Sequence, residues 1–112
     1  MEMTSQNKDG KMIVFLKGEI DHHSAREMRD NIDRLIFLHR PDTLILDLAG
    51  IEFMDSSGLG LILGRYRKMC EYKGQTFICN ASERTMKILK MAGVDKIIKS
   101  TQCRMTTEGQ KQ

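Results

Sequence analysis

Two adjacent serines lie in the segment of this sequence that is best suited to carry a chemical modification. Phe53 to Gly60 reads Phe-Met-Asp-Ser-Ser-Gly-Leu-Gly, and it separates a predicted buried strand from a predicted amphipathic helix. Asp55, Ser56 and Ser57 are therefore expected at the helix N-terminus, where backbone N–H groups are unpaired and the helix dipole is positive. Those N–H groups could donate hydrogen bonds to a phosphate attached to a serine here, so the modification would not unfold the helix.

Helix capping alone is the alternative explanation of the same segment, because Asp and Ser are common N-caps. Gly58 and Gly60 each lower helix propensity by ~1 kcal/mol relative to alanine, which favours the view that their missing side chains expose the backbone and the serine hydroxyls to a partner. An esterase nucleophile elbow requires Gly-x-Ser-x-Gly, and Met54 stands where the first glycine would be. We therefore do not expect a hydrolase.

A second polar segment contains two consecutive histidines. It reads Gly-Glu-Ile-Asp-His-His from Gly18 to His23. Two ligands at consecutive positions make a poor closed metal site, and no third ligand is evident, so we predict no metal. Glu19 and Asp21 either meet a basic residue of a partner or are ordinary solvated loop charges.

Strands and helices alternate along the chain in an order that defines the fold class. Strands are predicted at 12–16, 43–48, 75–79 and 97–98. The first helix is opened by a Ser24–Glu27 capping box and stopped by Pro41, and the third is opened by Ser82. The second helix has an apolar stripe from Leu59 to Cys70, with Arg65 on the opposite face. This order predicts an α/β fold with a largely parallel sheet and right-handed crossovers.

Parallel strands deliver all their strand-to-helix loops to one edge of the sheet. We therefore expect the segments 18–23, 49–56 and 80–81 to lie side by side at the carboxyl ends of the strands. Open α/β sheets usually place their functional sites at that edge.

Composition bounds the class of protein. The 112 residues fit a single domain. We expect residues 1–9 to form a weak edge strand or to be disordered, and residues 102–112 to form a polar, frayed tail. Basic and acidic residues, 18 and 15, are well mixed along the chain, which does not favour direct nucleic-acid binding. The polar N-terminus has no signal-peptide core, and no apolar run approaches the ~20 residues of a membrane helix. We expect a cytoplasmic protein that does not bind membranes.

The two polar segments together resemble a known family. The stretches 18–23 and 53–66 are similar to the STAS-fold anti-sigma factor antagonists, most of all to the sporulation branch of that family. The resemblance runs from about Met12 to Ser100. The Asp-Ser-Ser-Gly segment is common to much of the family, whereas the Asp-His-His segment is more particular to the sporulation branch. Family members usually end in a further amphipathic helix, and 102–112 has little apolar periodicity.

The resemblance implies a STAS fold, a small mostly parallel sheet with helices mainly on one side, and a partner-switching function. In the family, the unphosphorylated antagonist binds an anti-sigma factor that is also a serine kinase, and thereby releases the sporulation sigma factor. The kinase phosphorylates the first serine of the motif, here Ser56, and a PPM-type serine phosphatase reverses the modification. The residues expected to bind the partner are Asp21, His22, Asp55, Ser56, Ser57, Gly58 and Gly60.

Two alternatives remain at this point. The first is a STAS module of another system, such as a general-stress sigma cascade or a lipid-transport complex. The second is a small nucleotide-binding or hydrolytic protein, but the sequence has no Walker loop and no Gly-x-Gly-x-x-Gly fingerprint. We expect a protein that is not an enzyme, with no catalytic residues and no cofactor.

Overall fold

A computed structural model describes residues 2–101 of the chain, and this part alternates strands and helices as predicted. The elements in chain order are β1 Glu2–Lys8, β2 Lys11–Ile20, α1 His22–His39, β3 Thr43–Met54, α2 Ser56–Glu71, β4 Gln75–Cys79, α3 Glu83–Met91, a 3₁₀ turn Val94–Lys96 and β5 Lys99–Ser100. The tail expected at 102–112 lies outside the described residues. Within residues 2–101, no helix combines the length and the apolar character that crossing a membrane requires.

The five described strands form one sheet in the order β1-β2-β3-β4-β5. β1 is antiparallel to β2, and the other neighbouring pairs are parallel. The β1–β2 turn places Asp9 and Gly10 at positive φ, 53° and 81°, as a tight hairpin turn requires. Because each crossover moves to the next strand in the same direction, right-handed connections bring the helices to one face of the sheet.

One core joins that face of the sheet to all three helices. Alternate residues of β2 and β3 point into it, because side chains along a strand alternate between faces. Its buried members include Met12, Val14 and Leu16 from β2, Leu44, Leu46 and Leu48 from β3, and Ile32, Ile36, Ile62, Met69 and Leu89 from the helices. The intervening residues Ile13, Ile45 and Cys79 form a smaller buried cluster on the opposite face. The α/β class and the placement of the helices on one side are therefore confirmed.

The prediction that Arg65 lies on the polar, exposed face of α2 is wrong. Gly58, Leu61, Ile62, Arg65 and Met69 are the buried residues of this helix, whereas Cys70, predicted on the apolar stripe, is exposed. The buried residues recur at helical spacing, so Arg65 belongs to the inner face by position. The charge of its side chain had suggested the opposite face.

An ion pair with Asp33 of α1 offsets part of the free-energy cost of burying Arg65. Arg65 Nε lies 3.0 Å from Asp33 Oδ1, but the two groups are not aligned as a hydrogen bond, so the attraction is chiefly electrostatic. Burial lowers the pKa of the Arg65 guanidinium, and the charge of Asp33 opposes that shift. The pair therefore connects α1 to α2 at a site where an uncompensated charge would be costly.

Candidate functional site

The two polar segments singled out in the sequence meet at the carboxyl ends of β2 and β3. These strands pair in parallel to their last residues, where Ile20 is opposite Met54. The backbone N–H of Asp55 then donates to the carbonyl oxygen of Ile20 at 3.2 Å. Because β2 and β3 end at paired residues, the helices that follow them begin side by side, and the N-termini of α1 and α2 are neighbours.

The third segment expected at this edge does not reach it. β4 ends at Cys79, which pairs with Asp47, and β3 continues from there to Met54. At ~3.3 Å per residue this extension is roughly 20 Å long. Asn80 instead lies beside Asp47, where β4 ends, and its side-chain amide donates to Asp47 Oδ2 at 3.0 Å. The expectation that 80–81 joins the site is therefore wrong.

Strand length is the physical reason for this difference. Gly18 and Glu19 have the composition of a loop, but they continue β2 and pair with Ile51 and Phe53. The β2–β3 register shifts between Phe15 and Lys17 and again between Gly18 and Glu19, as β-bulges do. The site consequently lies at the tip of a two-strand extension of the sheet.

The N-terminus of α2 exposes one serine and partly covers the other. Asp55 is the N-cap, and its carboxylate accepts a hydrogen bond from the Ser57 backbone N–H at 2.8 Å. Ser56 is the first helical residue and is exposed, whereas Ser57 is half-buried. Of the two hydroxyl-bearing residues, Ser56 is the more accessible to another protein.

The N-terminus of α1 is capped by Asp21, so the prediction that Ser24 opens this helix is wrong. The Asp21 carboxylate accepts from the Ser24 backbone N–H at 2.9 Å, and the Asp21 N–H donates to Ser24 Oγ at 3.0 Å. The capping box is real but is displaced by three residues, because Asp and Ser are both good caps. These hydrogen bonds with Ser24 are the main reason that the pKa of the Asp21 carboxyl lies below its usual value.

Gly58 and Gly60, the two glycines nearest the start of α2, have different roles. Gly58 is buried, and a Cβ added there would lie 2.6 Å from Met54 Sδ and closer still to Met54 Cγ. The absence of a side chain at Gly58 thus serves packing, which corrects the view that it exposes the surface. Gly60 is exposed, and a Cβ there would meet nothing within 4 Å.

A cleft of about 240 Å³ separates the first turns of α1 and α2. It brings two of the residues expected from the sequence on α2 opposite His22 on α1. The residues that line it are His22, Ala25, Arg26, Arg29, Ser57, Gly60 and Leu61. Asp21 and Ser56 directly precede the lining residues His22 and Ser57, and Asp55 is the N-cap of the same helix turn. Gly58 is the predicted site residue that is buried.

Arg26 and Arg29 are the residues of this surface that the sequence reasoning missed. They lie four and seven residues after His22 in α1, a spacing that places all three on one side of a helix. That pattern becomes visible only when the helix starts at His22, and the predicted start at Ser24 concealed it.

The sequence matches the STAS domain family over residues 2–109. A curated relative, the anti-sigma F factor antagonist of Paenibacillus polymyxa, is 35% identical over 98 residues, which span 88% of this chain and 84% of the relative. The chain therefore belongs to the STAS domain family, and the assignment based on the two polar segments is confirmed.

Two solved structures of proteins named SpoIIAA share the fold. The unphosphorylated form, described as an anti-sigma factor antagonist, has a TM-score of 0.80 and 27% identity over 98% of this chain and 96% of that chain. The phosphorylated form of SpoIIAA, described as a Bacillus cell fate determinant, has a TM-score of 0.73 and 28% identity over 96% of this chain and 97% of that chain. A protein of this fold has thus been observed with and without a phosphate.

Proposed function

We propose that this chain is an anti-sigma factor antagonist that works as a binding protein, not as an enzyme. In its unphosphorylated form it binds an anti-sigma factor serine kinase in the cytoplasm and so releases the sporulation sigma factor. Phosphorylation of Ser56 switches it off, and a PPM-type serine phosphatase restores it. The similarity to the Paenibacillus polymyxa antagonist and to SpoIIAA supports this proposal.

The observation that carries the proposal is the position of Ser56. Its side chain is exposed at the first position of α2, where it is accessible to a kinase active site. The partner-binding surface comprises the exposed or half-buried residues around it: Asp21, His22, Asp55, Ser56, Ser57 and Gly60. Gly58, which is buried, supports this surface through its packing against Met54.

Phosphorylation acts on the interface and leaves the fold intact. The phosphate adds about −1.5 to −2 charges at pH 7, and at the first position of α2 this charge lies at the positive end of the helix dipole, where it is favourable. A docked partner would meet this charge and bulk next to the Asp55 carboxylate. Each ~1.4 kcal/mol of lost binding free energy lowers affinity tenfold, so two unfavourable contacts suffice to release the partner.

Mass spectrometry after incubation with ATP and an anti-sigma-F kinase from the same genome tests the proposal. We expect one added phosphate per chain, and peptide fragmentation should place it on Ser56. The Ser56→Ala variant, checked for folding by circular dichroism, is the matched control and should gain none. Absence of phosphate from the folded wild type, with a kinase that modifies its own established substrate, would contradict the proposed partner and mechanism.

A further inference from the structure

Two arginines that have no part in the proposed switch line the α1–α2 cleft. His22, Arg26 and Arg29 line the cleft from α1, opposite Ser57 and Gly60 of α2. Both arginines are exposed, and residues three apart on a helix are neighbours on its surface. Two guanidinium groups therefore border the cleft beside the serine segment.

In the described part of the chain, the carboxylates of Asp21, Glu27 and Asp55 form no ion pair with these arginines. Asp21 and Asp55 each accept a hydrogen bond from a helix N-terminal amide, so their negative charge is directed to the positive ends of the helix dipoles. Arg29 pairs with Asp30 at 3.3 Å, but the two side chains are 50% and 60% exposed, and exposed pairs of this kind are weak. Among the described residues, Arg26 has no ion-pair partner.

The dimensions of the cleft limit what it can hold. Its volume, about 240 Å³, lies below the roughly 300–1,000 Å³ of small-molecule sites. A single side chain fits this space, and the missing side chain of Gly60 leaves the α2 wall open to it. Guanidinium groups bind carboxylates through paired, charge-assisted hydrogen bonds.

We propose that this cleft receives a carboxylate side chain, Asp or Glu, from the docked kinase partner. Arg26 and Arg29 hold that carboxylate and so fix the orientation in which Ser56 is presented. This inference rests on the proposed function and assigns a specific anchoring role to the two arginines. A phosphate on Ser56 would place negative charge at the edge of the same cleft and weaken its attraction for the carboxylate.

A double charge reversal tests the inference. We compare Arg26→Glu/Arg29→Glu with Lys87→Glu/Lys90→Glu, whose lysines are exposed on α3 at the same spacing and undergo the same change in charge. The readouts are the Kd of the unphosphorylated protein for the anti-sigma-F kinase and kcat/KM for phosphorylation of Ser56. We expect the cleft variant to bind at least about tenfold more weakly, and the α3 variant to remain within about twofold of wild type.

Salt supplies an independent readout of the same contact. The defect of the cleft variant should shrink between ~0.1 M and ~1 M salt, because the Debye length falls from about 10 Å to about 3 Å. Thermal unfolding of every variant checks the fold, and the neutral pair Arg26→Gln/Arg29→Gln replaces the reversal if the latter does not fold. This neutral pair should still bind severalfold more weakly than wild type.

The outcomes separate this inference from the proposed function. If wild type binds the kinase and the folded cleft variant binds equally well, the carboxylate site is refuted and the proposed function stands. The same holds if only dephosphorylation of the modified form changes, because the cleft would then hold the phosphate instead. If wild type itself neither binds nor is phosphorylated, the proposed function fails in the control measurement.

Discussion

The backbone N–H of Asp55 donates to the carbonyl oxygen of Ile20 at 3.2 Å. This hydrogen bond joins the residue that caps α2 to the last residue of β2, immediately before the residue that caps α1. Both helix N-termini are consequently held together by main-chain geometry. The surface around Ser56 is thus built on strand ends, and a substitution at one cap should also shift the position of the other.

Gly58 and Gly60 of α2 should respond in opposite ways to substitution by alanine. Gly58→Ala should destabilise the protein by about 1–3 kcal/mol, because the added methyl group overlaps Met54. Gly60→Ala should stabilise it by ~0.5–1 kcal/mol through helix propensity and weaken binding of the kinase. Chemical denaturation and a binding titration measure the two effects.

Gly64→Ala is the matched control for helix propensity, since a Cβ at Gly64 also meets nothing within 4 Å. It should stabilise the fold to a similar extent. A Gly58→Ala variant as stable as wild type would show that Met54 moves aside without cost. A Gly60→Ala variant with unchanged affinity would remove Gly60 from the proposed binding surface.

The cap at Asp21 should make part of the stability depend on pH. Its folded pKa is lowered, chiefly by the hydrogen bond from the Ser24 N–H, so the unfolded chain takes up a proton first as the pH falls. The stabilisation is therefore complete above the unfolded pKa of about 3.9 and is lost as the pH falls through the folded value. Denaturation of wild type and Asp21→Ala from pH 7 to pH 2 should give stability curves that converge at the acid end. Parallel curves over that range would contradict the assignment of the cap to Asp21.

The Arg65–Asp33 pair should be asymmetric under mutation. Asp33→Asn leaves the buried guanidinium without a counter-charge and should cost roughly 2–3 kcal/mol, the low end for buried pairs because Asp33 is 30% exposed. Arg65→Met keeps most of the volume and leaves the carboxylate of a residue that is 30% exposed, so it should cost less than Asp33→Asn. Urea titrations measure both values. A larger loss for Arg65→Met than for Asp33→Asn would mean that the guanidinium itself contributes the stability.

The two serines should be distinguishable by substitution. Ser56→Ala should fold and bind the kinase but resist being switched off, and Ser57→Ala should still accept a phosphate. Quantitative phosphopeptide analysis of the two variants, after equal incubation with kinase and ATP, checks both statements. Loss of phosphate in Ser57→Ala, with retention in Ser56→Ala, would move the modified position by one residue.

Local signals in the sequence were sufficient for the order of elements and for the N-terminus of α2. Asp55, Ser56 and Ser57 precede an apolar helical stripe and were predicted at the helix N-terminus, and the structure begins α2 there, with Asp55 as the N-cap. At α1 the sequence analysis predicted Ser24 as the cap, and the observed cap at Asp21 depends on how far β2 continues. Strand pairing decides that length, and pairing is not visible in the local sequence.

The same limitation explains why the candidate site was only partly predicted. The polar residues Lys17 and Glu19 have loop composition, yet the neighbouring β3 supplies their hydrogen-bonded partners. The longer β2 and β3 separate the site from Asn80, and the earlier start of α1 puts His22 on the same helix as Arg26 and Arg29, with which it lines the cleft. These features depend on contacts between distant segments, whereas the position of Ser56 depends on its immediate neighbours.

The affinity of the anti-sigma-F kinase for this protein before and after complete phosphorylation of Ser56 tests the central claim most directly. Intact-mass analysis should first verify that each chain carries one phosphate, and circular dichroism should verify that the fold is retained. We predict that the phosphorylated form binds at least about tenfold more weakly, a loss of ~1.4 kcal/mol or more. Equal affinity of the two forms would contradict the claim that this serine is the switch.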